Sequence, residues 1–133
     1  MESKEFLNYT NWIVAGDILN KEKYASKIYE ALEKSGKQVV GINPNYKAQN
    51  ISTNGKKVYK SLMEVPYSID VINLCINPQL GIKLMKEAIK LNINMVLIQP
   101  GAESSEIRQF CKANEMIAIE GCALIDISSE EKN

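Results

Sequence analysis

The sequence predicts a three-layer α/β fold in which a doubly wound parallel sheet of about five strands is covered by helices on both faces. Apolar runs and amphipathic stretches alternate along the chain, which is the pattern of parallel strands joined by crossover helices. The 133 residues suit one domain with a sizeable core, and no stretch has the composition of a linker. We therefore expect residues 1–133 to form a single domain.

Five apolar runs are the predicted strands. Each run is almost continuously apolar instead of alternating between apolar and polar residues, which is typical of parallel strands that are buried on both faces. Polar or turn-forming residues bound each run. The runs are WIVAG (12–16), QVVGIN (38–43), DVINLCIN (70–77), NMVLIQ (94–99) and MIAIEG (116–121).

Three amphipathic stretches between these runs are the predicted helices, because their apolar residues recur at helical spacing. Gly36 follows the first stretch at a position typical of a helix end. Asn77-Pro78 offers the second an N-cap side chain and a first-turn proline, and Ser104 or Ser105 can cap the third. The stripes are Tyr24, Ile28, Ala31 and Leu32; Gly81, Leu84, Met85, Ala88 and Ile89; and Ile107, Phe110 and Cys111.

The remaining regions give weaker patterns. Residues 44–69 are polar and rich in turn-forming residues, so we expect an irregular connection that holds at most a short helix at SLMEV. Near the N-terminus, we expect Phe6, Tyr9 and Trp12 to belong to a short helix packed on the first strand. The last residues, SSEEKN (128–133), are polar, and we expect them to form a solvated tail.

Composition restricts the function classes. The 16 basic residues balance the 16 acidic ones, so no global field attracts nucleic acid or an anionic membrane. The first residues lack the apolar core of a signal peptide, and no apolar run is long enough to span a bilayer, so we expect a cytoplasmic protein. The chain has no histidine, which excludes Ser-His-Asp and Cys-His centres, phosphohistidine chemistry and the commonest metal ligand.

The ends of the predicted strands carry residues that together indicate a binding crevice. In open doubly wound sheets, ligands bind beyond the carboxyl ends of the strands, where the strand order reverses. Glycine lets a ligand approach the backbone, and amide side chains offer both a donor and an acceptor. Each residue alone is equally explained by a plain turn. The strand ends are Gly16-Asp17, Asn43-Pro44, Asn77-Pro78, Gln99-Pro100-Gly101 and Gly121-Cys122.

The first two strand ends lack the features of a nicotinamide dinucleotide site. Such a site requires G-x-G-x-x-G after the first strand and an acidic residue at the end of the second. This chain has GDILNK at 16–21 and Asn43-Pro44 at the second strand end. The sequence therefore argues against NAD as the ligand.

Several motifs together carry a resemblance to a known family. They are VAG (14–16), SGKQVVGINPNY (35–46), VYKSLMEVPYSIDVINLCINP (58–78), NMVLIQPGAES (94–104) and IEGCALI (119–125). Over about residues 5 to 126, the chain resembles the single-domain CoA-binding proteins, which are related to the nucleotide-binding domain of the succinyl-CoA synthetase alpha subunit. The resemblance implies a Rossmann-like fold that holds CoA or acyl-CoA at the strand ends, without a catalytic reaction.

The resemblance also implies a role for each strand end. Gly16 would face the diphosphate of CoA, and Asn43 and Pro44 would face its adenosine. Asn77 and Pro78 would form a wall of the crevice. The rest of the rim would consist of Gln99, Pro100, Gly101, Gly121 and Cys122.

The chain departs from the family pattern at the first turn. The family usually has Gly-Ala-Ser there, whereas this chain has Asp17 where the anion would sit. A carboxylate beside a diphosphate is repulsive unless it points away or is neutralised, and Lys21, Lys23 and Lys27 are close enough in sequence to compensate. Lys47, near the second strand end, is also placed to bind a phosphate.

The three cysteines are odd in number and lack C-x-x-C spacing, which argues against a disulfide framework and a zinc site. Cys75 and Cys111 fall at predicted core positions. Cys122 has two interpretations: a small buried packing residue, which we favour because cysteine is often buried, or an exposed thiol that forms a mixed disulfide with CoA. We assign no catalytic residue and no metal ligand.

Three function classes remain open. The leading one is a CoA-binding module that acts as a carrier, sensor or subunit, with a protein partner or a second copy of itself. The second is an enzyme on the same fold that uses a nucleotide or a CoA thioester. The third is an interaction protein that has kept the fold and lost the ligand. Neither nucleic acid nor a membrane is an expected partner.

Overall fold

The computed structural model describes residues 1–45, 51–53 and 55–131. Within these ranges the chain forms strands, α-helices and two 3₁₀ helices, at Ser3–Asn8 and Leu62–Glu64. The strands are β1 (Asn11–Ala15), β2 (Gln38–Ile42), β3 (Ile51–Thr53), β4 (Lys56–Tyr59), β5 (Val71–Leu74), β6 (Met95–Ile98) and β7 (Ile117–Glu120). The α-helices are α1 (Tyr24–Lys34), α2 (Pro78–Lys90), α3 (Ser105–Ala113) and α4 (Ala123–Glu131).

The seven strands form one sheet in the order β3-β4-β2-β1-β5-β6-β7. Six strands are parallel, and β3 pairs antiparallel with β4 at the edge. The predicted Rossmann-like α/β fold is confirmed, with all five predicted strands present. The two additional strands lie inside residues 44–69, where the sequence predicts an irregular connection. Their sequences, IST and KKVY, are about half polar and therefore produce no apolar run, although Val58 and Tyr59 are buried.

The strand order reverses between β1 and β5. From β1 the chain builds outward through β2 to β4, and it then returns to the other side of β1 and continues through β5, β6 and β7. Ala15 is level with Ile42 on one side and with Leu74 on the other. The chain therefore leaves all three strands side by side, at the edge where a ligand is expected.

Each face of the sheet has its own apolar layer. On one face, α2 and α3 pack over a layer that includes Ile13, Ile72 and Val96. On the other face, α1, α4 and the N-terminal 3₁₀ helix pack over a layer that includes Trp12 and Leu97. Burial on both faces explains why β1, β2, β5 and β6 are almost continuously apolar, whereas the edge strand β7 is largely exposed, contrary to the prediction.

The predicted helix ends are confirmed. Gly36 follows α1 with a φ of +89°, a backbone conformation that favours glycine. At the start of α2, Asn77 Oδ1 accepts a hydrogen bond from the Leu80 N–H at 3.0 Å, and a proline occupies the first turn. At the start of α3, Ser104 Oγ accepts from the Ile107 N–H at 3.1 Å.

Both ends of the described chain are helical. The N-terminal 3₁₀ helix buries Phe6, as predicted, but it ends at Asn8, so Tyr9 lies outside it and Trp12 belongs to β1. The prediction of a solvated tail is wrong for residues 128–131, because they complete α4, although they are exposed. Ala123 and Ile127 lie four residues apart and are buried in the apolar layer of the face where α4 packs against the N-terminal 3₁₀ helix and α1. None of the helices in the described ranges combines the length and apolarity needed to cross a bilayer.

Candidate functional site

A crevice follows the carboxyl edge of the sheet. Its main part encloses about 600 Å³ over the ends of β1, β2 and β5. A branch of about 180 Å³ continues over the ends of β5 and β6, and it shares Tyr24, Cys75, Ile76 and Asn77 with the main part. The crevice lies where the strand order reverses, which is the expected ligand position in this type of sheet.

The structure brings most of the predicted site residues to this crevice. Gly16, Asp17, Asn43 and Asn77 line the main part. The branch is lined by Gln99, Pro100 and Gly101, together with Ala102. Pro44, Pro78, Gly121 and Cys122 do not line either part of the crevice. Lys47 lies outside the described residues.

Sequence reasoning missed several lining residues, of which Tyr24 is the clearest case. Its spacing places it on the apolar stripe of α1, but its side chain is 60% exposed and lines both parts of the crevice. Asn45 and Ile76 also line the main part. Their position directly after β2 and β5 is the signal that could have identified them, because the residues after each strand emerge at the same edge.

Gly16 is the point of closest backbone approach in the crevice wall. A Cβ atom at this position would collide with the carbonyl oxygen of Cys75 and would lie 2.8 Å from the Cβ of Ala25. The Gly16 N–H donates to the carbonyl oxygen of Ile42 at 2.9 Å. The ends of β1, β2 and β5 therefore meet the start of α1 at a residue that must lack a side chain.

The N-terminus of α1 opens into the main part of the crevice, which Lys23, Tyr24 and Ala25 line. The side chain of Lys23, at the N-cap position, makes no capping hydrogen bond, and the first turn contains no acidic residue. By contrast, Asn77 and Ser104 cap α2 and α3. The start of α1 thus offers backbone N–H groups and the positive end of a helix dipole to an anion.

Asp17 is exposed and lines the same part of the crevice as Lys23. Of the three lysines considered as compensating charges, Lys23 is the one that lines the crevice. Lys27 instead places its Nζ 5.7 Å from the centre of the Tyr24 ring, a cation–π contact. In the main part of the crevice, the Asp17 carboxylate therefore repels an anionic ligand and the Lys23 ammonium group attracts it.

The two asparagines of the crevice have local structural roles. Asn43 is buried, and its Oδ1 accepts a hydrogen bond from the Asn45 N–H at 3.0 Å, which shapes the turn after β2. The Oδ1 of Asn77 caps α2. Turn and helix geometry thus account for both side chains before any ligand contact is considered.

The segment Gln99-Pro100-Gly101-Ala102 is a type II β-turn at the end of β6. The Ala102 N–H donates to the carbonyl oxygen of Gln99 at 2.9 Å, and Gly101 has a φ of +102°. Proline at the second position and glycine at the third are the residues that this turn type favours. The turn itself therefore explains why the strand ends in these residues.

The side chain of Gln99 is turned inward from this turn. Gln99 is 6% exposed, and its Nε2 donates to the Sγ of Cys122 at 3.4 Å. Its Oε1 is buried and has no hydrogen-bond partner among the described residues. A buried acceptor of this kind carries a desolvation cost that a suitable donor would offset.

The structure corrects the prediction for Cys75. It follows β5 and is half-buried in the crevice lining instead of lying in the core, because β5 ends at Leu74. Burial, and to a smaller extent the nearby Cys122 sulfur, raises the pKa of Cys75 to about 11. Cys111 is buried as predicted, and burial raises its pKa. Cys122 is half-buried, so it matches neither the fully buried packing residue nor the exposed thiol that the sequence suggests.

The structure is a Rossmann-like α/β domain with a crevice at the strand ends, and comparison with known families makes its class specific. The family model described as the CoA binding domain matches residues 10–128. The chain therefore belongs to the CoA-binding domain family, as the sequence motifs indicate. No curated protein sequence matches the chain.

Solved structures share this fold. A conserved hypothetical protein from Pyrococcus furiosus is 32% identical, with a TM-score of 0.78, and the match covers 89% of this chain and 99% of that one. A hypothetical protein from Pyrococcus horikoshii is 23% identical, with a TM-score of 0.84 and coverage of 95% and 87%. The dinucleotide-forming acetyl-coenzyme A synthetase 1 of Ca. Korarchaeum cryptofilum, in complex with phosphate and ADP, is 18% identical, with a TM-score of 0.67. That match covers 92% of this chain and 28% of the synthetase.

Replacing Gly101 tests the turn at the end of β6. Gly101→Val should lower the free energy of unfolding by about 1–2 kcal/mol, because a β-branched residue is strained at this φ. Nothing lies within 4 Å of a Cβ built at this position, so the cost comes from the backbone and not from a clash. Urea unfolding measures the loss. Gly101→Asn is the control and should lose less, because asparagine tolerates positive φ; an equal loss for both variants would contradict the turn assignment.

Proposed function

We propose that this chain binds CoA or acyl-CoA in the crevice, with the diphosphate at the N-terminus of α1 and with no catalytic reaction assigned. The observation that carries the proposal is the start of α1, which lacks a side-chain cap and opens into the crevice beside Gly16. Membership of the CoA-binding domain family supports this choice of ligand. The proposal includes a small-molecule ligand as the main partner and the cytoplasm as the compartment.

The chemistry around Gly16 suits a diphosphate. A glycine lets phosphate oxygens approach the backbone, and the first N–H groups of a helix can donate hydrogen bonds to them. Lys23 adds a positive charge at the same part of the crevice. These groups bind an anion through the backbone and one long side chain, which explains how Asp17 can be present without excluding the ligand.

The shape of the crevice suits a ligand with two parts. The main part, about 600 Å³, falls within the size range of small-molecule sites and has room for a nucleotide near Asn43 and Asn45. The branch extends from Tyr24 and Cys75 toward Gln99 and has room for a narrower arm. CoA consists of a nucleotide joined to such an arm, which ends in a thiol.

Thermal unfolding with a panel of ligands tests the proposal. CoA should raise the Tm more than NAD or FMN at equal concentrations, because the crevice lacks the dinucleotide fingerprint and the acidic end of the second strand. An equal or larger shift with NAD would contradict the choice of CoA.

Lys23→Glu should weaken CoA binding about tenfold, because it places a second carboxylate near the diphosphate. The matched control is Lys86→Glu, the same change on an exposed residue of α2, and it should keep the wild-type affinity.

Asp17 provides an independent test of where the diphosphate lies. Asp17→Asn should tighten CoA binding about threefold at low salt, because it removes a carboxylate that lines the anion site, and the gain should shrink as salt rises. Isothermal titration at two salt concentrations measures the effect. Glu22→Gln is the control, since Glu22 is an exposed carboxylate in the same loop outside the crevice lining. Weaker binding by Asp17→Asn would place the diphosphate elsewhere.

A further inference from the structure

The branch of the crevice brings two thiols and a buried amide close together. Cys75 and Gln99 line the branch, and each directly follows one of the neighbouring strands β5 and β6. Cys122 follows β7, the next strand, and its Sγ lies 3.4 Å from the Nε2 of Gln99. The amide of Gln99 thus joins the sulfur of Cys122 to the wall of the branch.

The fold leaves one hydrogen-bond acceptor of the Gln99 amide unused. Its side chain is more than nine-tenths buried, and its Oε1 has no hydrogen-bond partner in the described part of the chain. Turn geometry explains the backbone of residues 99–102 but does not require an amide side chain at the first position. A polar group of a ligand in the branch would give the Oε1 a partner.

The two thiols differ in their surroundings. Burial and the nearby sulfur of Cys122 raise the pKa of Cys75 to about 11, so Cys75 stays a protonated thiol at neutral pH. Since the thiolate is the nucleophile in disulfide exchange, Cys75 is a poor attacking group. Cys122, in contrast, has an amide N–H directed at its sulfur. This hydrogen bond fixes the position of the Cys122 sulfur next to the side chain of Gln99.

We propose that Cys122 is a thiol-exchange site, which takes the CoA moiety from CoA disulfide as a mixed disulfide while Gln99 positions its sulfur. The inference rests on the proposed binding of CoA, because the nucleotide in the main part of the crevice would direct the arm of CoA into the branch. Cys75, in the wall of the branch, remains reduced. The mixed disulfide would hold CoA in the crevice until a thiol reductant releases it.

The exchange needs no oxidant other than CoA disulfide itself. The thiolate of Cys122 attacks one sulfur of CoA disulfide, the sulfur–sulfur bond of that compound breaks, and a bond forms between Cys122 Sγ and the attacked sulfur. The second CoA leaves as a thiolate and takes up a proton from solvent, which replaces the proton that Cys122 released. One disulfide is consumed and one is formed.

Mass spectrometry of the intact protein after incubation with CoA disulfide tests the inference. We expect one added CoA moiety, reversed by dithiothreitol, and peptide mapping should locate it on Cys122. Cys122→Ser should lose the adduct, whereas Cys75→Ser should keep it. Gln99→Leu should form the adduct about fivefold more slowly, the effect of one lost hydrogen bond, with an unchanged urea midpoint. Cys111 is buried in the core and should stay unmodified.

Two further measurements separate this inference from the proposed function. CoA disulfide should react with Cys122 at least tenfold faster than glutathione disulfide does, because only the former has the nucleotide that the crevice binds. CoA should also raise the Tm of Cys122→Ser as it does for the wild type, because the nucleotide contacts remain. A CoA-dependent rise in Tm without a reversible adduct, or with an adduct on Cys75, would overturn the thiol site alone. Equal rates with the two disulfides and no rise in Tm would overturn the proposed function as well.

Discussion

The crevice depends on the close backbone approach at Gly16. The end of β1 lies against the carbonyl oxygen of Cys75 at the end of β5 and against Ala25 in the first turn of α1, at distances that leave no space for a Cβ atom. This contact brings the start of α1 to the point where the strand order reverses. The helix dipole, the free backbone donors and the gap between the two halves of the sheet therefore coincide.

Two further contacts fix the elements around Gly16. Ile18 is fully buried, and a Cβ at Gly41 of β2 would lie 2.5 Å from its Cγ1, so the loop after β1 is seated directly on the backbone of β2. In the same half of the sheet, Lys56 of β4 donates from Nζ to Ser26 Oγ at 2.7 Å and pairs with Glu30 Oε1 at 2.9 Å. These bonds tie α1 to β4, and the hydrogen bond from Lys56 lowers the pKa of Glu30. Rigid support of this kind keeps backbone donors oriented for a ligand.

The sequence predicts the parts of the structure that arise from periodic burial, and it misses the parts that arise from local pairing or from side-chain direction. All five predicted strands and three of the α-helices follow from apolar patterns. The hairpin of β3 and β4 shows no such pattern because about half of its strand residues are polar, and α4 was missed because Ser128 and the residues after it are polar. The strand ends locate the crevice because parallel strands must all end at the same edge. The pattern could not show that Tyr24 faces the crevice, that Cys75 lies past the end of β5, or that Gln99 reaches Cys122.

The most direct test of the account is a CoA titration of the ¹⁵N-labelled protein followed by amide chemical shifts. If the N-terminus of α1 binds the diphosphate, the largest shifts should belong to Gly16 and to Tyr24, Ala25 and Ser26, with smaller ones at Asn43 and Asn77. A groove of about 320 Å³ between α1 and α4, lined by Lys27, Leu124 and Ile127, provides an internal comparison on the same helix. Shifts concentrated in that groove, with the first turn of α1 unchanged, would contradict the account.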